Sequence, residues 1–87
     1  MALVKIAPTE AHVDWDRLHG RPRQIRWRGQ HLRVVGLNAV RSELSAYPAD
    51  RGPRITYLLE TDGGGQASLV FDGWRRRWYV EGLEAAA

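Results

Sequence analysis

Apolar and polar residues alternate over the last third of the chain. Ile55, Tyr57 and Leu59 share one parity, Leu69 and Phe71 another, and Trp78 and Val80 a third. A repeat of two puts such residues on one face of a β-strand, so strands are predicted over residues 54–60, 67–72 and 77–81. Asp62-Gly63-Gly64-Gly65 can only form a turn, and Gly73 with the following Trp and arginines forms a second. The apolar members of this meander are the predicted core.

The same alternation begins earlier. Residues 24–28 place Ile25 and Trp27 on one face and Arg26 and Arg28 on the other, with the turn at Arg28-Gly29. Over residues 31–44, Leu32 and Val34 point inward. Val35 and Leu37 continue the apolar set one residue out of phase, and Val40 and Leu44 shift it back. Such slips predict bulges or a bend, the first at Gly36. A turn at Gly36-Leu37-Asn38 that splits the segment into two strands is the alternative. Two prolines and a glycine within residues 47–53 make that stretch a loop.

The N-terminal stretch is less regular. Residues 3–7 read as a short strand that Pro8 ends. Ala11, Val13, Trp15 and Leu18 fit neither a period of two nor a helical stripe. Residues 9–20 are therefore expected as an irregular arm, with Thr9 able to cap one helical turn and Trp15 and Leu18 clipped onto the sheet. Gly20-Arg21-Pro22 breaks the chain before the main sheet. The expected division is a strand and arm over 1–20, a β-domain over 21–83 and a frayed tail over 84–87. The fold class is all-β: a small curved antiparallel sheet or partly open barrel of five to six strands, in the SH3-like or OB-like size class.

Composition narrows the chemistry. Eighty-seven residues make one small domain. The absence of cysteine removes disulfides, thiolate metal sites and cysteine nucleophiles. No signal-peptide pattern is visible and no run approaches the ~20 apolar residues of a membrane span, so a cytoplasmic protein with no membrane partner is expected. The net charge is +3, and twelve of the thirteen basic residues are arginine, which brings bidentate hydrogen bonding and stacking that lysine lacks.

Two arginine constellations carry the functional expectation. Residues 17–33 hold six arginines and no acidic residue. Arg26, Arg28 and Arg33, with Arg23 beside them, are placed to form an outer face that can sit on phosphates. Trp74-Arg75-Arg76-Arg77-Trp78 is the second. Trp78 alternates with Val80 and belongs to the core, whereas Trp74 at the turn is harder to bury. An exposed ring among arginines suits single-stranded nucleic acid, whose bases stack while the cations follow the backbone. The same residue types dominate protein–protein hot spots, so a protein interface at Trp74 and Tyr47, with a partner or a second copy, is the competing use. Solvated charged faces explain both clusters equally simply.

Other chemistry finds little support. His12, Asp14, Asp16 and His19 lie close in sequence, but their spacing matches no metal motif. Ser42, Ser45 and Ser68 lack a nucleophile-elbow context, and the glycine run joins two strands rather than opening a helix. No cofactor, metal or catalytic residue is expected.

The run Arg21-Pro22-Arg23-Gln24-Ile25-Arg26-Trp27-Arg28-Gly29-Gln30-His31-Leu32-Arg33-Val34-Val35, with residues 74–82, resembles a small bacterial domain of unknown function. That domain occurs as a stand-alone actinobacterial protein and at the C-terminus of the inactive Y-family-polymerase-like subunit of the mutagenic translesion machinery. Its early pattern, P-x-x-x-x-W-R-G-x-x-x-x-V, is matched by Pro22, Trp27-Arg28-Gly29 and Val34 or Val35. Its late pattern, W-[YF]-[LV]-x-G, is matched by Trp78-Tyr79-Val80-Glu81-Gly82, although the polymerase-like members often carry His where Glu81 stands. The resemblance spans residues 21–83. It implies an accessory module, not an enzyme, in the context of DNA damage tolerance, and supplies no binding residues to carry over.

Overall fold

Six antiparallel strands close into a barrel in the order β1-β2-β3-β4-β5-β6, with β1 returning to β6. They are β1 (Val4–Asp16), β2 (Arg21–Trp27), β3 (Gln30–Ser42), β4 (Arg54–Thr61), β5 (Gln66–Asp72) and β6 (Arg77–Glu84). The computed structural model describes residues 3–42 and 53–84. No helix occurs among the described residues, so none there is long and apolar enough to cross a membrane.

The N-terminal arm is in fact a full strand. β1 runs through Pro8 to Asp16 and belongs to two ladders at once. It pairs with β6 from Val4↔Leu83 to Ala11↔Trp78, then with β2 from His12↔Arg26 to Asp16↔Arg21. Its register slips between Lys5 and Thr9, where the extra residues lie on β1, and again between Asp14 and Trp15, where the extra residue lies on β2. The inward set therefore changes parity between Ile6 and Ala11 and then runs with a period of two through Ala11, Val13 and Trp15. Exposed Pro8 falls inside the first irregularity, where its missing N–H costs no ladder bond.

β3 stays one strand, and the expected bulges are present. Its register against β4 shifts between Val34 and Gly36 and between Leu37 and Ala39. β3 changes partner as it goes. It pairs with β2 only from Trp27↔Gln30 to Gln24↔Arg33, and from Val34 onward it pairs with β4. Gly82, just past the predicted span 77–81, lies within β6. There it is held against Leu3, whose side chain would meet an added Cβ at 3.1 Å.

The core is Ala11, Ile25, Trp27, Val34, Leu59, Leu69 and Val80, one or two residues from each strand. Tyr57, Leu32 and Trp78 pack against it half-buried, in line with the inward parity of the predicted core. Val35, Leu37 and Val40 remain exposed. Val70 has the outward parity of Thr56 and Tyr79, its cross-strand partners, yet is fully buried. The Arg54–Glu81 ion pair links β4 to β6 on this outer face.

Both hairpin turns at one end of the barrel use the same device. Asp16 Oδ1 accepts the backbone N–H groups of Leu18 and His19, and Asp72 Oδ1 those of Trp74 and Arg75. Side-chain acceptance two and three residues on is what fixes an Asx-type turn. An aromatic cluster fills the mouth beneath them. The Trp15 ring lies 6.1 Å from Tyr57 and 6.2 Å from Trp78, and Trp78 lies 4.8 Å from Phe71. Trp15 thus clips onto the barrel as expected while remaining 42% exposed; Leu18, at 87% exposed, does not. Gly73 sits so close to Pro53 that a Cβ would meet the carbonyl oxygen at 2.7 Å.

Candidate nucleic-acid interface

The β2–β3 connection is a two-residue turn in which Arg28 (φ 50°) and Gly29 (φ 73°) are both left-handed. That is the type I′ geometry, whose twist matches the flanking strands. Glycine adopts it freely, whereas a residue with a Cβ costs about 1–2 kcal/mol there. Arg28 offsets part of that cost by placing its guanidinium 5.2 Å over the Trp27 ring, and it reaches β1 at Thr9 Oγ1 over 3.5 Å.

Behind the turn, the registers build an outer wall on β1, β2 and β3. His12, Arg26 and His31 form one cross-strand row, and Asp14, Gln24 and Arg33 form the next. Arg23 is the extra residue at the β1–β2 bulge and is exposed. Gln24 Nε2 and His31 Nδ1 are 3.0 Å apart, which orients both side chains. The carboxylate of Asp14 comes no closer than 3.9 Å to Arg26, in a pair that is open to water on both sides. Such a contact is worth about 0–1 kcal/mol and leaves the guanidinium free to exchange partners. The wall therefore presents Arg23, Arg26, Arg28 and Arg33 as accessible cations. Trp27, the aromatic of this hairpin, is buried and offers no face to a base.

The Trp-Arg turn is a different surface. Trp74 is 61% exposed at the tip of the β5–β6 connection, and Arg76 holds a left-handed backbone (φ 55°). Its other arginines are engaged. Arg77 Nη1 donates to both carboxylate oxygens of Glu10, at 3.1 and 3.3 Å. Arg75 is pushed above the ordinary guanidinium pKa, first by its hydrogen bond to Tyr79 and then by the charges of Tyr79 and Asp72.

The barrel does not bring the two constellations together. In the ring of six strands, β2 and β3 lie across from β5 and β6. The Arg28-Gly29 turn shares its end with the glycine turn at residues 62–65, whereas Trp74 shares the opposite end with residues 17–20. Trp15 and Leu18 are exposed at that second end. Tyr47 and most of the 47–53 loop lie outside the described residues.

His12, His31 and Gln24 join the wall without having been legible as a group. Their only sequence signal is parity with Arg26 and Arg33, and that becomes informative once β1 is known to be a strand. His19, by contrast, stays in its own turn, with Nδ1 2.7 Å from Asp16 Oδ2. This hydrogen bond is the main reason the Asp16 carboxyl is held below its ordinary value; desolvation opposes it and the backbone N–H bonds from His19 and Leu18 add to it. Tyr57 is displaced the other way, its phenol raised by burial in the aromatic mouth.

Comparison of the chain with protein-family models, with curated proteins and with solved structures finds no match. The functional reading accordingly rests on the wall, the turn and the chemistry of their side chains.

Proposed function

We propose that this domain is a non-catalytic accessory module that contacts nucleic acid through the β1–β2–β3 wall. The observation that carries the reading is the accessibility of Arg23, Arg26, Arg28 and Arg33 on one wall, where the one carboxylate within ion-pair distance among the described residues is that of Asp14, 3.9 Å from Arg26. Guanidinium groups pair with phosphate oxygens bidentately, and neutralising phosphates releases counterions. With Trp27 buried, contact is to the phosphates, so binding should show no preference for single strands over duplex. The resemblance to a translesion-associated domain agrees with an accessory role in DNA damage tolerance.

Fluorescence anisotropy with labelled single-stranded and duplex oligonucleotides tests this. Four phosphate contacts correspond to a log–log salt slope of about −3.6 on duplex, so affinity should fall roughly a hundredfold between ~50 and ~200 mM salt. Absence of binding at the lower salt would reduce the wall to a solvated face. A strong preference for single strands would move the contact to the end that bears Trp74.

That end supports a second reading, a protein contact. Trp74, Leu18 and Trp15 are large apolar side chains exposed at one end of the barrel, and tryptophan is among the residues that dominate interface energetics.

A further inference from the structure

β3 leaves β2 after Arg33, and among the described residues no strand takes its place. Residues 35–42 are paired with β4 on one side and, among the described residues, have no backbone partner on the other. Proteins ordinarily protect such edges with charges, proline, bulges or a covering segment. This edge has bulges against β4, but its sequence is Val35-Gly36-Leu37-Asn38-Ala39-Val40-Arg41-Ser42, with a single charge. Val35, Leu37 and Val40 are 49%, 37% and 52% exposed. Apolar side chains beside free backbone donors and acceptors are what an added strand needs: main-chain bonds supply affinity and alternate side chains supply selectivity.

The charges around the edge are mostly basic, with the Glu60 carboxylate of β4 lying against Gly36 near its start. Exposed Arg33 and Arg41 stand at either end of it, and Arg21 and Arg23 stand on the portion of β2 that has parted from β3. The Nε–H of Arg21 is shielded from solvent and has no acceptor. A second copy docked edge to edge would bring a second set of arginines to this one, and like charges across an interface cost several kcal/mol. A strand carrying carboxylates relieves the repulsion and supplies acceptors. The geometry points to β3 as a docking edge for an extended segment of another protein, in which apolar residues alternate with acidic ones. This site borders the arginine wall and shares Arg23 and Arg33 with it, but its backbone edge over residues 35–42 lies beyond the β2–β3 pairing, and it does not depend on the nucleic-acid reading.

The test is selection of peptides from a random displayed library on the full chain, followed by affinity measurement with the enriched peptides made synthetically. The expected result is a set of peptides with alternating apolar and acidic residues. Their binding should weaken at least ~10-fold, about the effect of one good contact, in Val40→Asp and in Arg41→Glu. It should also protect the backbone amides of residues 35–42 from hydrogen exchange. Val40 and Arg41 are exposed, so both variants should fold, and the circular dichroism spectrum checks this. Val40→Asp should keep the oligonucleotide affinity of the parent, which separates this site from the wall. The proposal is overturned by failure to enrich any peptide, by enriched peptides without acidic residues, or by binding indifferent to both variants. Sedimentation showing a dimer that Val40→Asp dissolves would also overturn it, since the occupant would then be a second copy.

Discussion

Reversing two charges on the hairpin, Arg26→Glu with Arg28→Glu, should weaken oligonucleotide binding on the order of tenfold to a hundredfold at low salt while leaving the barrel folded. Each phosphate contact contributes about one unit to the salt slope, so the slope on duplex should also shrink by roughly two. The fold should tolerate the change because neither side chain is structural. The Arg26–Asp14 pair is exposed and 3.9 Å long, and the Arg28 contact with Trp27 is a cation–π pair worth about 0.5–1 kcal/mol at an exposed site. Anisotropy against salt, with circular dichroism as the folding check, reads both quantities. A folded double variant with undiminished affinity would eliminate this wall as the contact surface.

Truncating Leu59 to alanine should be the most damaging single change in the core. Leu59 is completely buried, lies between Leu37 and Ala67 in the sheet, and packs within the central cluster. Removing a buried leucine side chain costs about 2–5 kcal/mol, from lost transfer energy and the cavity left behind. At about 0.05–0.15 kcal/mol per residue, a chain of this length has a total of roughly 4–13 kcal/mol to lose. Urea unfolding of Leu59→Ala should therefore show a much lower midpoint or an unfolded protein. Leu18→Ala, at an 87% exposed position, should stay within about 0.5 kcal/mol of the parent. Equal effects of the two substitutions would contradict the packing described.

The clearest signals in the sequence came from the strands around the β4–β5 ladder, which keeps one register throughout. β4, β5 and β6 lie close to the predicted spans, since Ile55, Tyr57 and Leu59 pair with Phe71, Leu69 and Ala67 without a slip. The phase shift at Gly36 was readable as a bulge because a bulge changes parity in the sequence itself. β1 was not readable. The irregularity between Lys5 and Thr9, with Pro8 inside it, breaks its period, and the run Ala11, Val13, Trp15 that follows is too short to mark a strand by itself. The site shows the same division. That Arg26 and Arg28 share a face follows from alternation, but the separation of this wall from Trp74 follows from strand order around the barrel. The accessibility of β3 depends on where β2 stops pairing, and local pattern carries no trace of that.

The pairing of the first strand with the last has a kinetic consequence. Neighbouring strands make the other ladders, whereas β1 must meet β6 across nearly the whole chain, as at Val4↔Leu83. Closing so long a loop is entropically expensive, and topologies rich in such pairings fold slowly. The hairpins should gain protection first and the β1–β6 seam last, an order that pulsed hydrogen exchange during refolding can read. Until that seam closes, both of its strands expose unpaired backbone of the kind described along β3.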